Sequence, residues 1–314
     1  MDDRRVLISC RLVWEARDQV VPQLEAHGLD VDIPRFEDQQ LREPDLLPII
    51  DRYVGILAGD DHLTRSVLKK ARNLRVISKW GVGVDAIDLD AAKEFGIQVF
   101  NTPGVFGEEL ADYAMGYIHL LARRQHEVNL RVRHGEWRKI RGVSLAGKTL
   151  GIIGLGSSGR ELARRASAAS MEVLGFDIAP SSTSDHYQIV ELGDLLSRSD
   201  VVSLHLPATP DTRHLINEQT LSVMKSGAWL INISRGSLID EDALVAALAS
   251  GDVAAAALDV FEKEPIDQTH ALFSFDQVIV GSHNGSNTEE AVARATSLAV
   301  RNLLRGLEIA RVAP

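Results

Sequence analysis

Short apolar runs alternate with amphipathic stretches along almost the whole chain. In the first hundred residues the runs are RVLIS (5–9), VDIPR (31–35), YVGILAG (53–59), VISKW (76–80) and IQVFN (97–101). Between them, the stretches at 15–27, 64–72 and 88–95 set apolar residues at helical spacing. Strands alternating with helices in this way predict a parallel sheet with helices on its faces, an α/β fold. The pattern restarts with TLGIIG (149–154) and runs on through EVLGFD (172–177), DVVSLHL (200–206), AWLINIS (228–234), AAALDVF (255–261) and QVIVGS (277–282). Two βα series predict two domains, which suits 314 residues at roughly 150 per domain. Joining the series, residues 109–137 carry Leu110, Ala114, Tyr117, Leu120 and Leu121 at helical spacing, which predicts one long helical connector. A last helix is predicted from Thr288 to near Gly306.

Composition narrows the function. With 45% hydrophobic and 25% charged residues the chain is that of an ordinary globular protein. A net charge of −10 lacks the basic stripe that nucleic-acid binding needs. A small anion remains a candidate ligand, held locally by an arginine or a helix N-terminus. No apolar run approaches the ~20 residues of a membrane span. The start, MDDRRVLISC, has no apolar stretch of secretory length, and the single cysteine, Cys10, cannot form an internal disulfide. A reducing cytoplasm is the expected setting. No metal is called for.

The sharpest local signal follows the strand TLGIIG. Gly154-Leu155-Gly156-Ser157-Ser158-Gly159 runs straight into a helical pattern. In this spacing Gly154 allows a tight turn, Gly156 lets backbone approach a pyrophosphate, and Gly159 lets helix pack on strand. The helix N-terminus adds unspent N–H groups and the positive end of a dipole. The next strand ends at Asp177, where a carboxylate accepts from ribose hydroxyls. That carboxylate repels a 2′-phosphate, and the following IAPSSTS has no Arg or Lys to hold one, so NAD is expected rather than NADP.

Three further segments put polar residues at or just after the carboxyl ends of apolar strands: NISRGSLIDEDAL (232–244), AAALDVFEKEP (255–265) and VIVGSHNGSNTEEA (278–291). Ligands bind at that edge in open α/β sheets. Singly, Arg235 reads equally as a surface ion pair, Glu264 as a solvated acid and His283 as one histidine of ten.

Together with the glycine loop, and with WGVGVDAIDLDAA (80–92), NTPGV (101–105), GKTLGIIGLGSSG (147–159) and HLPATPDTRHLIN (205–217), they make the chain resemble the D-isomer-specific 2-hydroxyacid dehydrogenases. The likeness is greatest to their phosphoglycerate dehydrogenase-like branch and covers nearly the whole chain. It implies two Rossmann-like doubly wound domains, with an NAD-binding domain (102–283) inserted in a substrate domain (1–101 plus 284–314). It implies an NAD-dependent enzyme that interconverts a small D-2-hydroxy acid and its 2-keto acid. Arg235 would grip the substrate carboxylate, Glu264 would bond His283, and His283 would be the acid/base. On the cofactor side it implies Gly154, Gly156, Ser157, Ser158, Gly159 and Asp177, with Ile233, Ser234, Arg235, Asp259, His283, Gly285 and Ser286 around the nicotinamide. Backbone N–H groups at Val82 and Gly83 would take the substrate carboxylate, and a homodimer would form through the 109–124 helix.

Two departures bear on the substrate. After His283 stands Asn284-Gly285-Ser286-Asn287, where the family usually shows an Ile-Gly-Gly-like run. The segment DDHLTRSVL (60–68) lacks the closely spaced arginines that a phosphorylated substrate invites. Lys79 and Trp80 read as substrate-loop residues, or equally as a packed Trp beside a solvated Lys. Oxidation of another small anion such as phosphite, and non-catalytic NAD sensing, stand as alternative functions.

Overall fold

In the computed structural model, which describes residues 4–34, 40–179 and 184–307, the apolar runs become parallel strands. The first series gives β1 (Arg5–Ile8), β2 (Asp30–Asp32), β3 (Gly55–Ala58), β4 (Val76–Lys79) and β5 (Gln98–Phe100), ordered β2-β1-β3-β4-β5. The second gives β6 (Thr149–Ile153), β7 (Glu172–Phe176), β8 (Gln188–Ile189), β9 (Val201–Leu204), β10 (Ala228–Asn232), β11 (Val253–Leu258) and β12 (Val278–Val280), ordered β12-β11-β10-β9-β6-β7-β8. Every pairing is parallel. Parallel strands are covered on both faces, which is why β1, β3, β6 and β9 read as continuous apolar runs: Leu7, Ile56, Leu150 and Val202 are fully buried. The strand order reverses at β1 in the first sheet and at β6 in the second. Crevices for ligands open at the carboxyl ends of such switch points.

The helices, in chain order, are α1 (Arg11–Glu15), α2 (Arg17–Glu25), α3 (Glu43–Leu46), α4 (Arg65–Lys70), α5 (Leu89–Glu94), α6 (Gly107–Arg123), α7 (Gln125–Arg133), α8 (Ser157–Ala168), α9 (Leu192–Arg198), α10 (Glu218–Ser222), α11 (Glu241–Ser250) and α12 (Glu289–Gly306). Several begin on a side-chain cap: Thr64, Asp88, Asp240 and Thr288 each accept the N–H three residues on. Residues 1–105 with 288–314 form one compact unit and 106–287 the other. The crossings fall a few residues beyond 101 and 283, so His283–Ser286 belong to the second unit. In the first unit, α12 returns to the sheet, where Ser78 Oγ donates to Ala299 O at 2.7 Å and Trp80 Nε1 to Thr296 Oγ1 at 3.0 Å.

Two expectations are corrected. The connector predicted over 109–137 is not one helix: Arg124 adopts a left-handed φ of 48°, ending α6 and starting α7. The two pieces differ physically, because α6 buries Ala111, Ala114 and Ile118, whereas α7 buries nothing. Amphipathicity alone does not reveal such a break. The stretch at 15–27 likewise begins earlier and divides at Ala16. The run VDIPR contributes only residues up to Asp32, and its Arg35 lies outside the described residues. β8, two residues long, was too short for periodicity to mark.

Candidate active site

The glycine loop closes the carboxyl end of β6. Gly154 has φ 102°, and a Cβ there would lie 2.6 Å from the His205 carbonyl carbon. A Cβ on Gly159 would sit 2.0 Å from Gly154 O, so helix and strand approach more closely than any side chain permits. Gly156 is different: a Cβ there would meet nothing within 4 Å. Its open face adjoins the start of α8, whose N-cap is Gly156 itself, with no side-chain cap and no acid in the first turn. Among the described residues, the leading N–H groups of α8 therefore have no side-chain partner, a ready cradle for phosphate. Ser158 Oγ pairs with His205 Nδ1 at 3.0 Å, and His205 Nε2 with Ser203 Oγ at 2.9 Å. Burial pushes His205 down to about 3, which keeps this ring neutral. Asp177, just past β7, accepts from Leu155 N at 2.6 Å and from Ala179 N at 3.0 Å, which ties its carboxylate to the loop.

The three polar segments meet at the carboxyl ends of β10, β11 and β12. Asn232, fully buried, shapes the first: its Oδ1 accepts from Ser234 N at 3.0 Å and its Nδ2 donates to Arg235 O at 2.8 Å. Ser234 Oγ donates to Leu204 O at 2.7 Å, and Ile233 is buried beneath. A Cβ on Gly236 would fall 1.8 Å from the Phe261 carbonyl carbon, so the arginine segment packs directly on the backbone that leads to Glu264. Glu264 Oε1 accepts from Phe261 N at 3.0 Å, and its Oε2 lies 2.8 Å from His283 Nδ1. Both side chains are about one-third exposed, 35% and 34%. A partly wet pair of this kind holds a ring tautomer and stays reachable by substrate.

His283 has a left-handed φ of 58°, uncommon for a β-substituted residue. Asp259 holds it there. The Asp259 carbonyl accepts from His283 N at 2.7 Å. Its buried carboxylate accepts from Asn284 N at 3.0 Å, Gly285 N at 2.8 Å and Tyr113 OH at 3.1 Å. Tyr117 OH in turn donates to Tyr113 OH at 3.2 Å. Burial holds both phenols above their usual range, so they remain donors.

In the first unit, the segment after β4 is pinned by its carbonyls. Trp80 O accepts from Lys79 Nζ at 2.6 Å, Gly81 O from Thr102 N at 3.0 Å and Val82 O from Asn101 Nδ2 at 2.7 Å. Among the described residues nothing accepts from the N–H groups of Val82 and Gly83. Trp80 is packed at 6% exposure, but Lys79 is only 3% exposed, so the solvated-lysine reading fails.

A family model for the D-isomer specific 2-hydroxyacid dehydrogenase NAD binding domain matches residues 115–285. The chain belongs to that family. A hydroxypyruvate reductase of Thermotoga maritima is 38% identical over 285 residues, covering 90% of this chain and 92% of that one. A D-3-phosphoglycerate dehydrogenase of Methanocaldococcus jannaschii is 39% identical over 274 residues, covering 84% of this chain and 52% of that one. Among solved structures, D-lactate dehydrogenase from Aquifex aeolicus, complexed with NAD and lactic acid, superposes with a TM-score of 0.86 at 28% identity, covering 97% and 95%.

This dehydrogenase uses NAD, and the open face at Gly156, the side-chain-free N-cap of α8 and the carboxylate of Asp177 fit that cofactor. The sequence reading missed Asn232, Tyr113 and Tyr117. For the dehydrogenase's tyrosines the available signal was their i, i+4 spacing on α6, which reads as core; Asn232 showed only as a polar residue closing a buried strand.

Proposed function

We propose that the enzyme interconverts a small D-2-hydroxy acid and its 2-oxo acid, with Arg235, Glu264 and His283 as the catalytic set. The single observation that carries this is the 2.8 Å Glu264–His283 pair, which stands in the same unit as the glycine loop. NAD, when bound, supplies the hydride acceptor or donor. His283 takes the hydroxyl proton in oxidation and returns it in reduction, a role that suits imidazole near neutrality. Glu264 fixes the tautomer through Nδ1 and supports the imidazolium. Arg235 binds the substrate carboxylate two-pronged and stabilises charge on the C2 oxygen. In the first unit, Val82 and Gly83 offer N–H groups to a carboxylate. Asp259 positions the His283 turn, and Oδ2, with one bond from Gly285 N, keeps acceptor capacity for the nicotinamide amide. Ser157 and Ser158 face the pyrophosphate, while Ile233, Ser234, Gly285 and Ser286 border the nicotinamide.

The same reading includes a homodimer through the 109–124 helix. Beyond that helix, Leu130, Val132 and Trp137 are individually 54%, 42% and 92% exposed. No helix of the described residues is long and apolar enough to cross a membrane, and a cytoplasmic setting suits the lone buried thiol of Cys10. The deciding experiment is NADH oxidation against glyoxylate, hydroxypyruvate, pyruvate, phosphohydroxypyruvate and branched 2-oxo acids. Turnover of at least one, lost in His283→Ala, is expected; no turnover of any would overturn the reading.

A further inference from the structure

The ion pair Lys79–Asp60 has no task in the set described above. Lys79 Nζ lies 3.1 Å from Asp60 Oδ1, yet the two partners differ sharply in exposure, 3% against 54%. The ammonium sits directly against the segment after β4: a Cβ on Gly81, whose φ is 123°, would lie 2.9 Å from Nζ. That neighbour leads into Val82 and Gly83, whose N–H groups have no acceptor among the described residues. The adjacent acid, Asp61, is committed elsewhere. It is fully buried and accepts from Ser9 Oγ at 2.6 Å, Leu41 N at 2.7 Å and Gly59 N at 2.8 Å. Asp60 is thus the carboxylate of this loop that faces water.

A buried charge acts through a low dielectric, whereas a half-exposed one is screened by solvent and salt. At the Val82–Gly83 amides the cation therefore outweighs its partner, and a single carboxylate is drawn in. At the rim, the half-exposed Asp60 places a carboxylate on a protein whose net charge is −10.

We propose that the Lys79–Asp60 pair is a charge filter for the substrate: Lys79 positions and strengthens the loop that takes one carboxylate, and Asp60 rejects a second anionic group. This rests on the reading of Val82 and Gly83 given above, and it deepens it by naming the substrate class. The substrate is a monoanionic 2-oxo acid with an uncharged tail, rather than one carrying a phosphate or a second carboxylate. Rejection by a like charge at an unfavourable position is a common source of specificity.

The test compares kcat/KM for glyoxylate and hydroxypyruvate with kcat/KM for phosphohydroxypyruvate and 2-oxoglutarate, in wild type and in Asp60→Asn. Wild type should favour the monoanions, and raising the salt from low to near-molar should narrow the gap. In Asp60→Asn the ratio of polyanion to monoanion kcat/KM should rise on the order of 5- to 20-fold. Lys79→Gln should raise KM for the monoanions about 10-fold with a smaller change in kcat, and Lys79→Arg should recover most of that loss. Should Lys79→Gln not fold, the half-exposed Asp60 site still decides. An unchanged ratio in Asp60→Asn, or a wild type that prefers the polyanions, overturns the filter. A wild type that turns over no 2-oxo acid overturns instead the reading on which it rests.

Discussion

The two sheets present their carboxyl edges in opposite ways. On the proposed function the edge of β10–β12 works through side chains: Arg235, Glu264 and His283 are partly exposed, Arg235 donating to the adjacent Ser234 carbonyl and Glu264 pairing with His283. The edge of β4 works through the backbone, with three carbonyls pinned and its one charged side chain, Lys79, buried beneath. On the proposed function a proton is moved at the first edge, which requires a titratable ring within reach of the substrate. At the second the proposal asks only that an anion be held, which backbone N–H groups can do without a side chain. The difference predicts that substitutions at the two edges fail differently: turnover suffers at one, affinity and selectivity at the other.

The largest expected effect is at His283. Replacing it with alanine should lower kcat by about 10²- to 10⁴-fold, the range for a lost acid/base, with NADH binding measured by fluorescence titration largely kept. A comparable loss of NADH affinity would mean that the turn held by Asp259, rather than the imidazole, is what matters. Next comes Arg235→Lys. It keeps the charge but removes the two-pronged geometry, so kcat/KM should drop about 10- to 100-fold, with both kcat and KM affected. If lysine substitutes fully, Arg235 acts only as a point charge. A third test stays with the cofactor. In wild type NAD(H) should be strongly preferred, and Asp177→Ser, which removes the repelling charge and keeps an acceptor for Leu155 N, should narrow that preference by about 10-fold in kcat/KM ratios. An unaltered ratio would place cofactor selection elsewhere.

The same contrast explains what could be read from the chain. The glycine loop was legible because each glycine answers a separate steric demand of the fold, at Gly154 a left-handed turn, at Gly156 an open face and at Gly159 a contact no Cβ survives. Arg235, Glu264 and His283 were legible as polar residues closing apolar strands. The hidden parts lack such a signal. Backbone donors at Val82 and Gly83 have no residue-type signature, and resemblance alone pointed to them. Asn232 and Tyr113 act from buried and half-buried positions by holding the loops of the candidate site, so their patterns look like ordinary core. Lys79 reads as surface by type, and only tertiary packing shows it enclosed. The break at Arg124 is a single left-handed residue inside an otherwise continuous amphipathic pattern.

The smallest effect expected is the most specific to the Glu264–His283 pair. Glu264→Gln keeps one acceptor oxygen, for either His283 Nδ1 or Phe261 N, at nearly the same volume but deletes the negative charge 2.8 Å from the ring. The charged ring loses the partner that favours it; the neutral ring does not. Reduction of a 2-oxo acid requires the protonated ring, so its rate falls as pH rises and that proton is lost. In the variant the fall should begin at lower pH. Oxidation requires the neutral ring, and its rising limb should move the same way. Because the pair is one-third exposed, water screens part of the effect, and the displacement should be small. At pH values where both enzymes hold the required form, kcat should change only a few-fold. Paired pH–rate profiles in the two directions test this. Limbs that shift in opposite directions, or profiles that superimpose, would show that Glu264 orients the ring without governing its charge.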